Sequence, residues 1–519
     1  MNAILKESCC WRLLLALWGL YEASWLKQHL ITPFENWVAR LWHSSVTEGF
    51  LLCEGRLSRA WGESFSCRLL NWALNLPAAL LHRLYRLLQK PMEESRMANL
   101  VFDMGEEAPI ALSWLFPALL LFPFDSWNNS YSFLVFAAAL ALFYVGGMRN
   151  EALRVDARDF GPYFVLFAAA VVLNVPLSHY PAMSSRFLLY HAVGMLAVVV
   201  IVGSVQNAAQ LERVALGSAL GTLYVGLYGV YQRVVVGVEV NKSYVDLTYN
   251  ANMPGRVYSV FDNPNACAEA LILLLPLAVA LLLSSRRWWG RLLALAAIGA
   301  GGAALLMTYS RASWVGLFAA MVLFVFLWNP KLVPLCALLC VAAIPFLPET
   351  VWNRILTITN FSDTSTSSRF PLFIATIRAL RMSPVTGAGL GGDAVRKFIK
   401  VNELYHAKAP YVHAHNMVLQ VWVETGLLGI VAFLGSMLWI VKRTVGAVRL
   451  KCSAPARTIT IGGACALAGG MVCGLADYLW NYPRVQCVFW FTAAVTLAGL
   501  KICRKESEEK ACKKCCRPV

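Results

Sequence analysis

The chain has 519 residues, 58% of them hydrophobic and only 14% charged, with a mean hydropathy of +0.58. A soluble protein of this size carries about a quarter charged residues, so the composition excludes a water-soluble globule, and a β-barrel would instead show short alternating segments. The net charge of +16 is no nucleic-acid signature, because it gathers in alternate loops between apolar runs, the pattern of the positive-inside rule.

Residues 1–108 differ from the rest. Trp11 to Leu26 is apolar but short and interrupted by Glu22, and Leu69 to Lys90 mixes Leu and Trp with His82, Arg83, Arg86 and Lys90. Such segments suit helices lying in the cytoplasmic interface, rings and leucines buried and basic groups at the headgroups; docking of a partner is the other reading. Trp11 stands too close to Met1 for a cleavable signal peptide. From Pro109 onward, runs of about 17 to 24 apolar residues recur, each long enough to cross a bilayer as a helix. They predict an all-α polytopic membrane protein with about twelve spans, near 109–124, 131–148, 160–176, 187–204, 213–236, 266–283, 292–308, 312–328, 332–347, 416–441, 459–478 and 485–500. The basic segments (the N-terminal region, Arg149 to Arg158, Ser284 to Arg291, Lys442 to Arg457 and 501–519) then share one side, which puts both termini in the cytoplasm. Anionic lipid headgroups are the natural partner of that charge. None of the fifteen cysteines falls in the two long outer loops, which argues against a disulfide framework. The tail Cys512-Lys-Lys-Cys515-Cys516 reads as a flexible basic segment rather than a zinc site, since it lacks a second ligand pair.

The outer face holds the polar material. Its first connection is Phe124 to Ser130 and its second Leu177 to Arg186. Gly237 to Asn265 follows, rich in Asn and Tyr, and Pro348 to His415 is longer than ordinary connections, which marks it as functional or disordered. That last loop carries Trp352, Phe361, Phe370 and Phe373 and a helix-like stretch, Ser368 to Arg381.

Several residues there carry chemistry. Arg311 lies in a linker too short to take it far from the membrane; it either snorkels to headgroups or presents a planar fork to phosphate. Arg256 is either solvated in its loop or a phosphate ligand. Asn263 and Asn265, around Pro264, read as a helix cap. Arg369 is followed by Gly387-Ala-Gly-Leu-Gly391, glycines that permit close approach of a ligand but lack the ending of a P-loop. His413 and His415 are two apart, so on a helix they would face different ways; with no acidic pair nearby, no metal is expected. His415, just before Asn416, is either a structural histidine at the interface or a general base, the role for which it is better placed than His413. Asp477, near the outer end of the eleventh span, is an intramembrane acid able to orient a histidine or neutralise an arginine.

Together these residues resemble the O-antigen ligase and O-antigen polymerase-like family of bacterial membrane glycosyltransferases. The resemblance runs through Arg256, Phe261-Asp-Asn-Pro-Asn265, Ser310-Arg311, Arg369 with its glycines, His415-Asn416-Met-Val-Leu-Gln420 and Glu424-Thr-Gly-Leu-Leu-Gly429. It implies a GT-C-like fold in the cytoplasmic membrane of a bacterium and transfer of a glycan from an undecaprenyl-diphosphate carrier to a glycan, lipid or cell-wall acceptor, with no cofactor and no metal. It implies catalytic roles for His415, Arg311 and Arg369, and substrate binding by Arg256, Asn263, Asn265, His413, Asn416 and Asp477. The domain division expected is 1–108 interfacial, 109–500 transmembrane with the loop 348–415, and 501–519 tail. A lipid-linked sugar transporter or flippase is the alternative, and it would show repeated halves and charges at mid-membrane depth.

Overall fold

The computed structural model describes residues 9–25, 27–117, 129–241, 253–359, 367–407 and 410–515. The end of the first predicted span, most of the first outer connection, the Asn- and Tyr-rich stretch 242–252, Phe361 and Cys516 lie outside the described residues. All secondary structure among the described residues is helical, as the low-dielectric bilayer demands of a chain that must satisfy its own backbone groups.

Seven helices precede the main bundle: α1 (Cys9–Ala23), α2 (Thr32–His43), α3 (Val46–Leu52), α4 (Arg56–Glu63), α5 (Phe65–Leu87), α6 (Gln89–Glu94) and α7 (Arg96–Leu115). α5 exposes Leu69, Trp72, Leu80 and Leu84, yet its other face is fastened to the bundle. Asn75 brackets Val155, donating from Nδ2 to its carbonyl at 2.7 Å and accepting from its amide at 2.9 Å, and Asn71 accepts from the Ala157 amide at 2.6 Å. α5 therefore combines an apolar outer face with specific docking, where the sequence pattern alone shows only the first.

The bundle follows as α8 (Asn129–Arg149), α9 (Gly161–Leu177), α10 (Pro181–Ser204), α11 (Ala208–Tyr231), α12 (Pro264–Ser284), α13 (Trp288–Met307), α14 (Arg311–Trp328), α15 (Val333–Ala343), α16 (Glu349–Leu356), α17 (Arg369–Met382), α18 (Gly392–Val401), α19 (Met417–Val448), α20 (Ala454–Cys473) and α21 (Pro483–Cys515). Nine helices among the described residues are long and apolar enough to cross a membrane. They cover nine of the predicted runs. Of the other three, 160–176 is the shorter apolar helix α9, and 109–124 overlaps only the end of α7. The run 332–347 belongs to a pair, Pro330–Phe346 and Glu349–Leu356, that bends by 118°. The bend falls at Leu347-Pro348, where Leu347 is extended, the conformation that a following proline enforces.

Burial orders the bundle. The apolar windows of α12 and α21 are 83% and 89% buried against 22% for α14, so α12 and α21 form the centre and α14 faces outward. α13 and α14 meet at Thr308-Tyr309-Ser310, where Tyr309 adopts a left-handed φ of 51°; α13 then packs on α11 and α14 on α20. The expected flexible tail is instead a continuation of α21 through Cys515.

Candidate functional site

Four helices begin at residues singled out by the sequence. Asn263 starts α12, its side chain accepting from the Asn265 amide at 2.8 Å with Pro264 next in line. Asn416 starts α19: its side-chain oxygen accepts from the Leu419 amide at 2.9 Å, and its Nδ2 donates to the Leu475 carbonyl at 3.0 Å. Both asparagines are thus helix caps. Arg311 and Arg369 are the first residues of α14 and α17.

His413-Ala-His415 lies ahead of α19 in irregular backbone, and His415 has φ 44°, a left-handed value rare for a side-chain-bearing residue. The expectation that the two histidines diverge assumed a helix. Instead their ring centroids are 4.0 Å apart, and the His415 amide donates to His413 Nδ1 at 3.1 Å. His413 is buried, and burial, with the neighbouring His415, lowers its pKa to about 3, so it is neutral. The loop is pinned from beneath. The Ala414 amide donates to Gln420 Oε1 at 2.8 Å, Gln420 donates to Glu424 at 2.7 Å, and the Tyr478 hydroxyl donates to Glu424 at 3.0 Å.

Asp477 closes the constellation. Its Oδ1 lies 2.9 Å from His415 Nδ1, and its Oδ2 accepts from Asn265 Nδ2 at 3.0 Å. Asn265 Oδ1 in turn accepts from Arg256 Nη2 at 2.5 Å, and Arg256 Nε donates to the Thr308 carbonyl at 2.7 Å. A continuous polar chain thus runs Arg256, Asn265, Asp477, His415. Burial alone would raise the Asp477 pKa, but the hydrogen-bonded His415 and the charge of Arg369 outweigh it and hold the carboxyl well below the usual range. With Asp477 ionised, His415 Nδ1 is the donor of that bond, which leaves Nε2 as the acceptor.

Arg256 is buried rather than solvated in its loop. Burial, reinforced by the charges of Arg354, Arg311 and Arg369, lowers its pKa to about 9, while Asp477 opposes the shift. Four guanidinium groups therefore share one electrostatic neighbourhood. Arg311 is fixed by the Thr357 carbonyl at 2.6 Å, so it does not reach to headgroups as a loose snorkelling chain would. A cleft of about 700 Å³ opens beside Arg256, Tyr258 and Asp262 and is walled by the segment 237–241. Among the described residues, His413, His415 and Asp477 are the one group whose potential metal-ligating atoms lie within 4.8 Å of one another; of the two roles expected for Asp477, orienting a histidine is the one its position at His415 allows directly.

Residues 296–434 match the protein family described as O-Antigen ligase. This stretch is an O-antigen ligase-like domain. It spans Arg311, Arg369, His413, His415 and Asn416, whereas Arg256, Asn263 and Asn265 precede it and Asp477 follows it. No curated protein matches the chain. The match indicates glycosyl transfer of the O-antigen ligase or polymerase type by a polytopic membrane protein, one that meets the bilayer and, in general terms, glycan and lipid-linked substrates.

The glycine-rich stretch inside the ligase-like domain serves packing. α19 is broken at Gly426, whose φ is 68°, and a side chain there would fall 2.0 Å from the Val385 carbonyl. The break frees backbone groups that the stretch takes up: the Leu427 amide donates to the Val385 carbonyl at 3.0 Å, and the Ala388 amide donates to the Val423 carbonyl at 2.7 Å. At Gly391 a side chain would fall 2.1 Å from the Phe187 ring. These glycines thus admit protein rather than ligand.

Sequence reasoning passed over Arg354, Gln420, Glu424, Tyr478 and Glu269 as site residues. Glu269, on α12, is buried, and its Oε2 has no hydrogen-bond partner among the described residues. Glu269 and Glu424 carried the signal used for Asp477, an acid inside an apolar run. Gln420 stood only as the end of a resemblance motif, and Tyr478 carried no signal of its own.

Proposed function

We propose that the chain transfers a glycan from an undecaprenyl-diphosphate carrier to an acceptor sugar at the outer face of the cytoplasmic membrane of a bacterium, as a metal-independent ligase or polymerase of cell-surface polysaccharide. The observation that carries this reading is the hydrogen-bonded chain from Arg256 through Asn265 and Asp477 to His415, set among four arginines. Asp477 orients His415 and steadies the imidazolium that forms. The acceptor hydroxyl gives its proton to His415 Nε2 as its oxygen attacks the anomeric carbon. The bond from that carbon to the diphosphate oxygen breaks, the electron pair leaves on the diphosphate, and the configuration inverts. Arg311 and Arg369 stabilise the charge that develops on the leaving diphosphate. Arg256 holds Asn265 and adds positive potential. His413, Asn263 and Asn416 act by shaping the loop and the helix starts.

Guanidinium groups supply the neutralisation for which a divalent ion is used elsewhere. His413 Nδ1 accepts the His415 amide, so the proton of its neutral ring sits on Nε2 and this histidine offers no free nitrogen to a metal. The nine long helices and the bent pair are consistent with the twelve crossings expected of a GT-C-like fold, which this reading takes with both termini cytoplasmic, residues 1–108 interfacial and 501–519 a cytoplasmic tail. The site residues cluster at one end of the helices, an arrangement suited to an enzyme more than to a transporter with mid-membrane charges.

The test uses purified protein and a synthetic undecaprenyl-diphosphate glycan. Wild type should release carrier diphosphate in EDTA when acceptor is present, and His415→Ala and Arg311→Ala should not. Full release by both variants would remove the mechanism, and activity that returns only with divalent metal would move the chain to another class of glycosyltransferase. Transport of the intact lipid-linked glycan without release would favour a flippase.

A further inference from the structure

The far end of α19 carries a second cationic feature that the proposed reaction does not use. Lys442 lies 25 residues beyond Met417, about 37 Å along a helix at 1.5 Å per residue. There a cleft of about 460 Å³ opens between α19, α21 and the chain at α3 and α4. It is lined by Arg158, Lys442, Arg443, Lys501 and Arg504 against two carboxylates, Glu54 and Asp159.

The carboxylates are already taken. Glu54 accepts from Arg443 and Asp159 from Arg504, each at 2.8 Å, and Arg158 pairs with Asp156 outside the cleft. The two lysines have no carboxylate partner among the described residues. Lys442 Nζ lies 4.1 Å from the centre of the Phe50 ring. Lys501 Nζ donates to the carbonyls of Val202 and Val205 at 2.8 and 3.0 Å, so two of its three donors are held by neutral acceptors, and the nearby Asp159 that acts on its charge is already paired with Arg504. The remaining wall is mostly apolar: Phe50, Leu51 and Leu52 of α3 face Tyr163, Leu438, Trp439 and Leu500 of the bundle helices. A partly buried cationic cleft with two lysines in excess of its ion pairs favours an anion, and ammonium groups bind phosphate as point charges. The apolar wall selects among phosphates, because a free ion would leave Leu438, Trp439 and Leu500 unused, whereas acyl chains would cover them.

We propose that this cleft binds the phosphate headgroup of an anionic phospholipid, with Lys442 and Lys501 on the phosphate and the acyl chains along Leu438, Trp439 and Leu500. The site is independent of the glycosyl-transfer reading and lies at the other end of the helices.

The test reconstitutes the full chain in phosphatidylcholine nanodiscs holding a minor fraction of phosphatidylglycerol and weighs the released protein by native mass spectrometry. Wild type should retain a single phosphatidylglycerol in preference to phosphatidylcholine. Lys442→Gln should weaken that retention about tenfold, ~1.4 kcal/mol, with an unchanged melting temperature in pure phosphatidylcholine that shows it to be folded. Arg286→Gln, an exposed cation near the same end of the bundle but outside the cleft, should leave retention as it is. The proposal fails if phosphatidylcholine is held as firmly, if Lys442→Gln matches wild type or melts lower, or if Arg286→Gln loses as much, which would mean diffuse surface charge. It fails also if inorganic phosphate displaces the lipid and protects the fold equally, since the ligand would then be a free anion.

Discussion

Asp477 stands between the His415 imidazole and the Asn265 amide that Arg256 holds, and each neighbour constrains it. An ionised carboxylate on His415 Nδ1 keeps Nε2 as the acceptor, so Asp477→Asn removes both the orientation and the charge that stabilises the imidazolium. Carrier release at saturating donor should fall by about 10²- to 10⁴-fold, the range of general acid–base contributions, with KM changed little; an initial-rate series checks this, and a rate within twofold of wild type would detach Asp477 from the chemistry. Arg256→Lys should not be conservative, because a point charge cannot span Thr308 and Asn265 as the fork does. His413 gives a pH signature. Its folded pKa of about 3 lies below its ordinary value of 6.5, so the unfolded chain binds the proton more readily. The contribution to stability is complete above pH ~6.5 and drains as the pH falls toward 3, by roughly 2 kcal/mol between pH 6.5 and 5. His413→Asn should flatten the fall of melting temperature across that window, and an unchanged slope would refute the assignment. Residue types showed which groups could do chemistry, including the Asp477 and His415 pairing as one of two roles. They could not show that Arg256 is buried, since its solvation depends on segments distant in sequence, nor that a left-handed His415 brings two histidines together.

At the scale of elements, the helix starts and the break at Gly426 set the site. Gly426→Ala places a methyl 2.0 Å from the Val385 carbonyl at a φ of 68°, and it should lower stability by about 1–3 kcal/mol through backbone strain. It should also reduce carrier release, because the loop 385–388 would move against α19. Gly302→Ala, with nothing within 4 Å of the added methyl, serves as the control. Denaturation of the two variants in detergent compares them directly, and equal melting would show that the break is not held by close packing. The long spans were legible because some 20 apolar residues in a row have few alternatives. The bent pair at Pro348 and the packing use of 387–391 were not, because a proline near a helix end and a run of glycines each fit several backbones.

At the scale of the molecule, the N-terminal helices are tied to the bundle by side chains of α5. Asn75→Leu leaves the Val155 amide and carbonyl without their partner, at about 1–3 kcal/mol for each buried unsatisfied group. It should expose the region before α7 to limited proteolysis while the bundle stays intact; a digestion pattern like wild type would show that lipid contact alone holds the region. The amphipathic pattern of Leu69 to Lys90 announced a surface helix, but nothing local announced its attachment to residues eighty positions away. The four helix starts have a further consequence. α12, α14, α17 and α19 each carry roughly half a positive charge at the amino end from their aligned peptide dipoles, and these ends come together where the arginines do. That potential is built into the backbone. It does not titrate, and no side-chain substitution removes it. An alanine scan of the guanidinium groups will therefore record only the part of the anion attraction that side chains add, and the remainder should persist as weak, salt-sensitive binding of diphosphate by a protein stripped of its arginines.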